Sequence, residues 1–203
     1  MKIERYIVGI FQTNTYLLSI EDECILIDPA SKPEKMIEIL GDRKLLAILL
    51  THGHFDHIKA VDDLSKKYNC PVYLQKEDKE LVTDRNQGNM FNQPIIATVS
   101  VKTIDILEGI TEIGPFKFET IYTPGHTKGS VCYKFDKELF TGDTLFKGSA
   151  GRTDLPGGSD KDLKSSLRII KELKDDLNIY PGHEDTSTTL EYEKQNNPYL
   201  MYI

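Results

Sequence analysis

The chain has 203 residues, 39% hydrophobic and 28% charged, with 32 acidic against 25 basic side chains and a net charge of -7. This is a globular, soluble composition, and its acidic balance argues against a nucleic-acid or anionic-membrane partner. No apolar run approaches the roughly 18 residues of a membrane span, and the opening M-K-I-E-R-Y-I-V-G lacks the apolar core of a signal peptide.

In chain order, short β-like segments predict strands at residues 3–8, 15–20 and 24–28, the last two joined by the turn Glu21-Asp22-Glu23. A helix is predicted over Pro33–Leu40, opened by Pro33, closed by Gly41, with Met36, Ile37 and Leu40 at helical spacing. Residues 45–50 are apolar at every position, as in a strand buried on both faces. Residues 58–68 read as a helix with Ile58, Val61, Leu64 and Tyr68 on one stripe, and 71–74 as a short strand. The stretch 84–98 has no clean period and predicts a long loop, either a lid over a site or a solvated connection.

Residues 101–122 are strand-rich, and 130–135 with 138–141 predict a hairpin around Asp136-Lys137. An amphipathic helix over 160–173 is capped by Ser159 or Asp160; a last strand covers 178–180 and a last helix 187–195. No repeat or Pro/Gly/Ser linker divides the chain, so residues 1–203 are expected to form a single domain. The order suits an α/β (α+β) fold with two sheets face to face and helices outside. Cys24, Cys70 and Cys132 are far apart and odd in number, which predicts reduced core thiols of a cytoplasmic protein, with a thiolate ligand as the sharper alternative.

The chain has only five histidines, and all of them fall just past predicted strands. His52, His54 and His57 stand in T-H-G-H-F-D-H, His126 in T-P-G-H-T-K-G-S, and His183 in Y-P-G-H-E-D-T; Asp143 follows another strand in F-T-G-D-T-L-F. A lone histidine in such a place is more often structural than a ligand. Five together point to metal, because imidazole and carboxylate are the ligands zinc and similar divalent ions prefer. On extended backbone, His52 and His54 project to the same side and can grip one ion. Asp56 and His57, at the start of the expected helix, are placed to face a second.

The series H-G-H-F-D-H, Pro-Gly-His, Thr-Gly-Asp and Pro-Gly-His, preceded by Asp28 in L-I-D-P, resembles the metallo-β-lactamase-fold hydrolase superfamily. That resemblance implies a four-layer αβ/βα sandwich with the metal site at one edge, between the sheets. It implies two divalent metal ions, zinc by preference with iron or manganese as alternatives. His52, His54 and His126 would hold one, Asp56, His57 and His183 the other, and Asp143 would bridge them. Asp56 and Asp143 are then the catalytic carboxylates, and the open bridging position would hold hydroxide as the nucleophile. Asp28 would support the metal loop from behind, or else serve as a simple turn residue.

Within the superfamily, T-H-G-H-F-D-H, T-P-G-H-T and F-T-G-D-T-L-F resemble glyoxalase II, the hydroxyacylglutathione thioester hydrolases. K-G-S-A-G-R-T-D-L-P-G-G and the ending T-T-L-E-Y-E-K-Q-N-N-P-Y-L resemble its short, single-domain bacterial members. The stretch after His183 is too short for the C-terminal helical domain that helps hold glutathione. Two departures remove glutathione contacts: G-R-T-D at 151–154 replaces a lysine-and-tyrosine pair, and Asp185 replaces a tyrosine. Arg152 could still bind a substrate carboxylate bidentately, or brace its loop against Asp154. A small acyl substrate, most simply a thioester, is therefore the expected partner. The alternatives are an iron-dependent persulfide dioxygenase using His52, His126 and Asp143, a lactonase, and a non-catalytic metal-binding module. A β-lactamase usually carries cysteine at the Asp143 position, so penicillin turnover is not expected.

Overall fold

The computed structural model describes all residues except 86, 87, 91, 92, 96 and 175, and only the backbone of 88–90 and 93–95. Its first half builds a six-stranded sheet. β1 (Lys2–Val8), β2 (Thr13–Ile20) and β3 (Glu23–Ile27) form an antiparallel meander; α1 (Pro33–Leu40) then returns the chain so that β4 (Lys44–Leu49) pairs parallel with β3. α2 (Val61–Tyr68) makes the next crossover to β5 (Val72–Leu74). The region expected as a loop over 84–98 contains a small antiparallel ribbon, β6 (Gly88–Met90) with β7 (Gln93–Ile95); the rest of that expectation touches residues outside those described. β8 (Thr103–Asp105) joins β5 and completes the order β1-β2-β3-β4-β5-β8.

The second sheet runs antiparallel through β9 (Gly109–Ile113), β10 (Phe116–Tyr122), β11 (Val131–Phe135) and β12 (Glu138–Gly142). A minor ribbon of β13 (Leu145–Phe146) and β14 (Ser149–Ala150) follows, then α3 (Asp160–Lys171). β15 (Asn178–Pro181) pairs parallel with β12, and α4 (Leu190–Asn196) and α5 (Pro198–Met201) close the described chain. Among the described residues, no helix is long and apolar enough to cross a membrane.

The period-two alternation of the strands divides the core into three layers. Along β3, Cys24 and Leu26 pack with Met36, Leu40, Val61 and Leu64 of the helices, while Ile25 and Ile27 turn toward the other sheet. There they meet Phe118, Tyr133, Phe135 and Phe140. The opposite face of the second sheet, Ile121, Cys132 and Leu139, covers Leu163, Leu167 and Ile170 of α3. The result is helix, sheet, sheet, helix: the four-layer sandwich expected.

Two helix starts differ from the sequence reading, and one short helix was not among its elements. The helix expected from residue 58 starts at Val61, because His54–His57 is closed as a turn by His57 N–H to His54 C=O at 2.9 Å. Asp56 and His57 therefore lie on that turn and not at a helix start. The last long helix starts at Leu190 and not at 187, since Thr188 and Leu190 are drawn into backbone bonds with Ile179 and Leu177, and Thr189 caps Tyr192 N–H. α5 was not expected; Asn197 caps it by accepting from Tyr199 N–H at 2.9 Å, with Pro198 at its first position.

Candidate metal centre

β10 and β12 flank β11 antiparallel, so they run the same way, and β15 is parallel to β12. Their carboxyl ends therefore share one edge, where they present His126, Asp143 and His183. The end of β4 faces them across the sandwich with His52, His54, Asp56 and His57. Backbone bonds tie the edge together: Val131 N–H to Thr51 C=O at 2.8 Å, Asn14 N–H to Gly182 C=O at 2.7 Å, and Gly182 N–H to Gly142 C=O at 2.8 Å. Every metal-ligand candidate from the sequence thus converges on one place.

The histidines are oriented from behind. Thr51 Oγ1 donates to Asp28 Oδ2 at 2.6 Å, so it must accept from His52 Nδ1 at 3.0 Å. His57 Nδ1 donates to Asp28 Oδ2 at 2.9 Å, His126 Nδ1 to the Arg152 carbonyl at 2.8 Å, and His183 Nδ1 to the Phe11 carbonyl at 3.1 Å. A neutral imidazole that donates from Nδ1 keeps a lone pair on Nε2. When the rings are neutral, four of the five Nε2 atoms therefore offer lone pairs to the same space. His54 is the exception, presenting Nδ1 at 2.8 Å from His126 Nε2.

Their ligating atoms form two groups, His52/His54/His126 and Asp56/His57/His183, each with all atoms within 4.8 Å of one another. Asp143 lies between the groups: Oδ2 is 3.5 Å from His126 Nε2 and 3.4 Å from His183 Nε2, and Oδ1 is 3.5 Å from His57 Nε2. His183 Nε2 is also 3.3 Å from Asp56 Oδ2. Asp28 comes close enough to join His52 and His57 in a third group. Its oxygens, however, are already engaged by Thr51 N–H at 2.8 Å, the Thr51 hydroxyl and His57. It lies behind the histidine cluster, holding Thr51 and His57.

The fit to a divalent ion shows in two buried atoms. Among the described residues, His52 Nε2 and Asp143 Oδ1 have no hydrogen-bond partner, an arrangement that is costly unless something else satisfies them. Nitrogen and carboxylate donors of this kind suit zinc, iron and manganese alike. The cluster is capable of binding metal.

Without metal, the two halves differ in charge. Burial, reinforced by His57, holds His52 well below its ordinary value, and burial with His126 beside it lowers His54 to about 3. Burial opposes charge on His57 and His183 too, but Asp143 and Asp56 overcome it, raising them to about 9 and about 11. Against the same burial, His57 depresses both Asp143 and Asp56. Burial pushes Cys24 and Cys70 up to about 11 and Cys132 to about 12, and among the described residues none of them joins a group able to hold a metal.

A cavity of about 540 Å³ opens onto the cluster, walled by Phe11, Phe55, Phe146 and Leu155 with Ser149 and Arg152 among its polar lining. Arg152 is turned to Asp154 in a two-pronged ion pair, Nε to Oδ1 at 2.7 Å and Nη2 to Oδ2 at 2.6 Å. The loop-bracing role is therefore the one its side chain fills, while its carbonyl orients His126. Asp185 pairs with Lys147 at 3.2 Å. Asp78 was missed from sequence: it is buried and accepts from Gly53 N–H at 2.8 Å, Thr127 Oγ1 at 2.7 Å and Gly129 N–H at 2.7 Å. Only the glycines beside two of the histidine motifs hinted that something approaches the backbone there.

Residues 8–183 match the sequence profile described as the metallo-beta-lactamase superfamily. The chain is 38% identical to a Bacillus subtilis protein named "Probable metallo-hydrolase YqgX", over 98% of both chains. It is 35% identical to "Hydroxyacylglutathione hydrolase GloC" of Haemophilus influenzae, again over 98% of both. Among solved structures, BLEG-1, named a B3 metallo-beta-lactamase, superposes with TM-score 0.90 at 36% identity, over 98% of this chain and 99% of that one. TTHA1623 in a di-iron-bound form gives 0.88 at 35%, over 97% and 100%. ETHE1 from Myxococcus xanthus gives 0.79 at 28%, over 98% and 84%.

Proposed function

The chain belongs to the metallo-beta-lactamase superfamily, and from that membership we propose that it is a metal-dependent hydrolase of a small acyl substrate, most simply a thioester such as a hydroxyacylglutathione. The observation that carries this reading is the set of imidazoles held from behind so that their lone pairs meet at one point, with Asp143 between the two groups. His52, His54 and His126 would hold one divalent ion and Asp56, His57 and His183 a second, with Asp143 contributing to both. Ions held there supply Lewis-acid polarisation of a carbonyl and bring water's pKa toward neutrality, from about 15.7 to about 7.

The chain's own residues supply the rest. Asp28 and the Arg152 carbonyl accept the Nδ1 protons of His57 and His126, so that each ring, once neutral, turns its Nε2 lone pair inward. Asp56 and Asp143 place negative charge beside His183 and His57, which favours cations in that half. Phe11, Phe55, Phe146 and Leu155 offer an apolar wall to an acyl chain. The likeness to GloC supports the thioester reading. Asp185 and the G-R-T-D loop leave glutathione itself as the less supported part. Buried, unpaired cysteines favour a cytoplasmic setting.

A second reading, an iron-dependent persulfide dioxygenase, is favoured by the likeness to ETHE1; it would need only His52, His126 and Asp143. A metal-loaded panel of S-lactoylglutathione, a simple lactone, glutathione persulfide and a penicillin separates the readings. The penicillin arm answers the likeness to BLEG-1. Thioester turnover without oxygen uptake supports the hydrolase. Oxygen uptake with the persulfide and negligible thioester turnover overturns it.

A further inference from the structure

We propose that Asp78 is the positioning residue for the His54–His126 half of the centre, the counterpart of Asp28 behind His52 and His57. The inference rests on reading the cluster as a metal centre. Asp78 ends a single 3-10 turn, residues Lys76–Asp78, started by Gln75, whose side chain accepts from Glu77 N–H at 2.5 Å. Its carboxylate is buried, although every neighbour in K-E-D-K-E is charged.

Its three bonds reach two loops that are remote in sequence. Gly53 lies between the ligands His52 and His54, and Asp78 Oδ2 holds its amide. Thr127 follows the ligand His126; its hydroxyl donates to the same oxygen, while Gly129 donates to Oδ1. Because Thr127 Oγ1 donates to Asp78, it accepts from Ser130 Oγ at 2.8 Å, and Ser130 Oγ in turn accepts from Thr127 N–H at 3.1 Å. One carboxylate thus sets the distance between the two backbones whose side chains meet at His54 Nδ1 and His126 Nε2.

The glycines explain how it comes so close. A Cβ at Gly129 would stand 2.7 Å from the Asp78 amide nitrogen and from its Cγ, and one at Gly53 would stand 2.9 Å from Val82 Cγ1 and 3.2 Å from Asp78 Cβ. Both are below or near the limit of real carbon contacts, so H-G-H and T-K-G-S carry glycine where the carboxylate docks. Among the described residues, Asp78 belongs to none of the groups able to hold an ion. It acts on the ligands through backbone, and nothing in the chemistry proposed above uses it.

The test compares zinc affinity of chelator-stripped wild type, Asp78→Asn, Thr127→Val and Leu167→Ala by competition with a chromophoric chelator. Amide exchange of Gly53 and Gly129 is read in the metal-free proteins. Asp78→Asn keeps the shape but sets an amide nitrogen against one of the donors. It should fold, exchange those two amides faster, and bind zinc about tenfold or more weakly, the scale of lost outer-sphere support. Thr127→Val, which removes one of the three donors, should weaken zinc by a smaller factor, and decides the matter if Asp78→Asn does not fold. Leu167→Ala lowers stability in the α3 core without touching either loop, and should keep wild-type zinc affinity. Wild-type affinity in the folded Asp78 variant, or in Thr127→Val, overturns the proposal, as does an equal loss in Leu167→Ala. Absence of zinc uptake by wild type itself would instead remove the metal-centre reading on which the proposal stands.

Discussion

Replacing Asp28 with asparagine should weaken metal binding. Asp28 Oδ1 accepts from Thr51 N–H, and Oδ2 accepts from the Thr51 hydroxyl and His57 Nδ1. An asparagine with its nitrogen at the Oδ2 position presents donors there. His57 must then accept at Nδ1 and carry its proton on Nε2. The Thr51 hydroxyl must reverse as well, donating to His52 Nδ1, which moves the His52 proton to Nε2. Both ligands then turn N–H groups toward the metal. The opposite rotamer sets the amide against Thr51 N–H and leaves buried donors unpaired, at about 1–3 kcal/mol each.

In the first rotamer the metal-free protein keeps its hydrogen bonds but loses the Asp28 charge that helps hold His57 protonated, so its stability should fall as well. Taking up metal means orphaning those bonds again. A cost of about 1.4 kcal/mol or more corresponds to at least about tenfold weaker binding. Zinc affinity from chelator competition measures the loss, and ¹⁵N imidazole shifts report whether His52 and His57 carry the proton on Nε2. Wild-type zinc affinity with unchanged tautomers in Asp28→Asn would refute the reasoning.

Three further outcomes are expected. His54→Ala or Asp143→Ala should remove metal and turnover together, checked by elemental analysis beside the activity panel. Stability of the metal-free protein should peak near pH 6.5. His57 and His183, raised to about 9 and about 11, contribute stability that is fully present below 6.5 and lost as pH rises through those values. His52 and His54, which stay neutral when folded, lose stability as pH falls below 6.5; thermal melts across pH with chelator present would show a monotonic trend if these signs are wrong. Arg152→Ala should leave zinc affinity and melting temperature unchanged, because the exposed pair with Asp154 is solvent-screened and the carbonyl that holds His126 remains; lost zinc binding in that variant would contradict the assignment.

The centre was legible in sequence because ligation demands particular residue types at strand ends, and histidine is scarce enough here for its placement to carry information. The sheets were legible as β-like segments such as residues 24–28, but which of Cys24, Ile25, Leu26 and Ile27 faces which core layer was not, since all four are apolar. Asp78 was not, since K-E-D-K-E reads as a solvated charge run and its burial arises only when Gly53 and Gly129 close on it from distant loops. The late start of α2 has the same origin, because the turn carrying Asp56 and His57 is set by the site and overrides the apolar stripe at Ile58. The cap of α5 was present in N-N-P, but one short turn gives too little periodicity to stand out.

Equilibrium dialysis of chelator-stripped protein against zinc, with His52→Ala and Asp143→Ala alongside, tests the central claim most directly. Wild type should saturate with two ions per chain, one for each group of ligands around Asp143, and both variants should fall short. No uptake by wild type, or uptake undiminished in the variants, would contradict it.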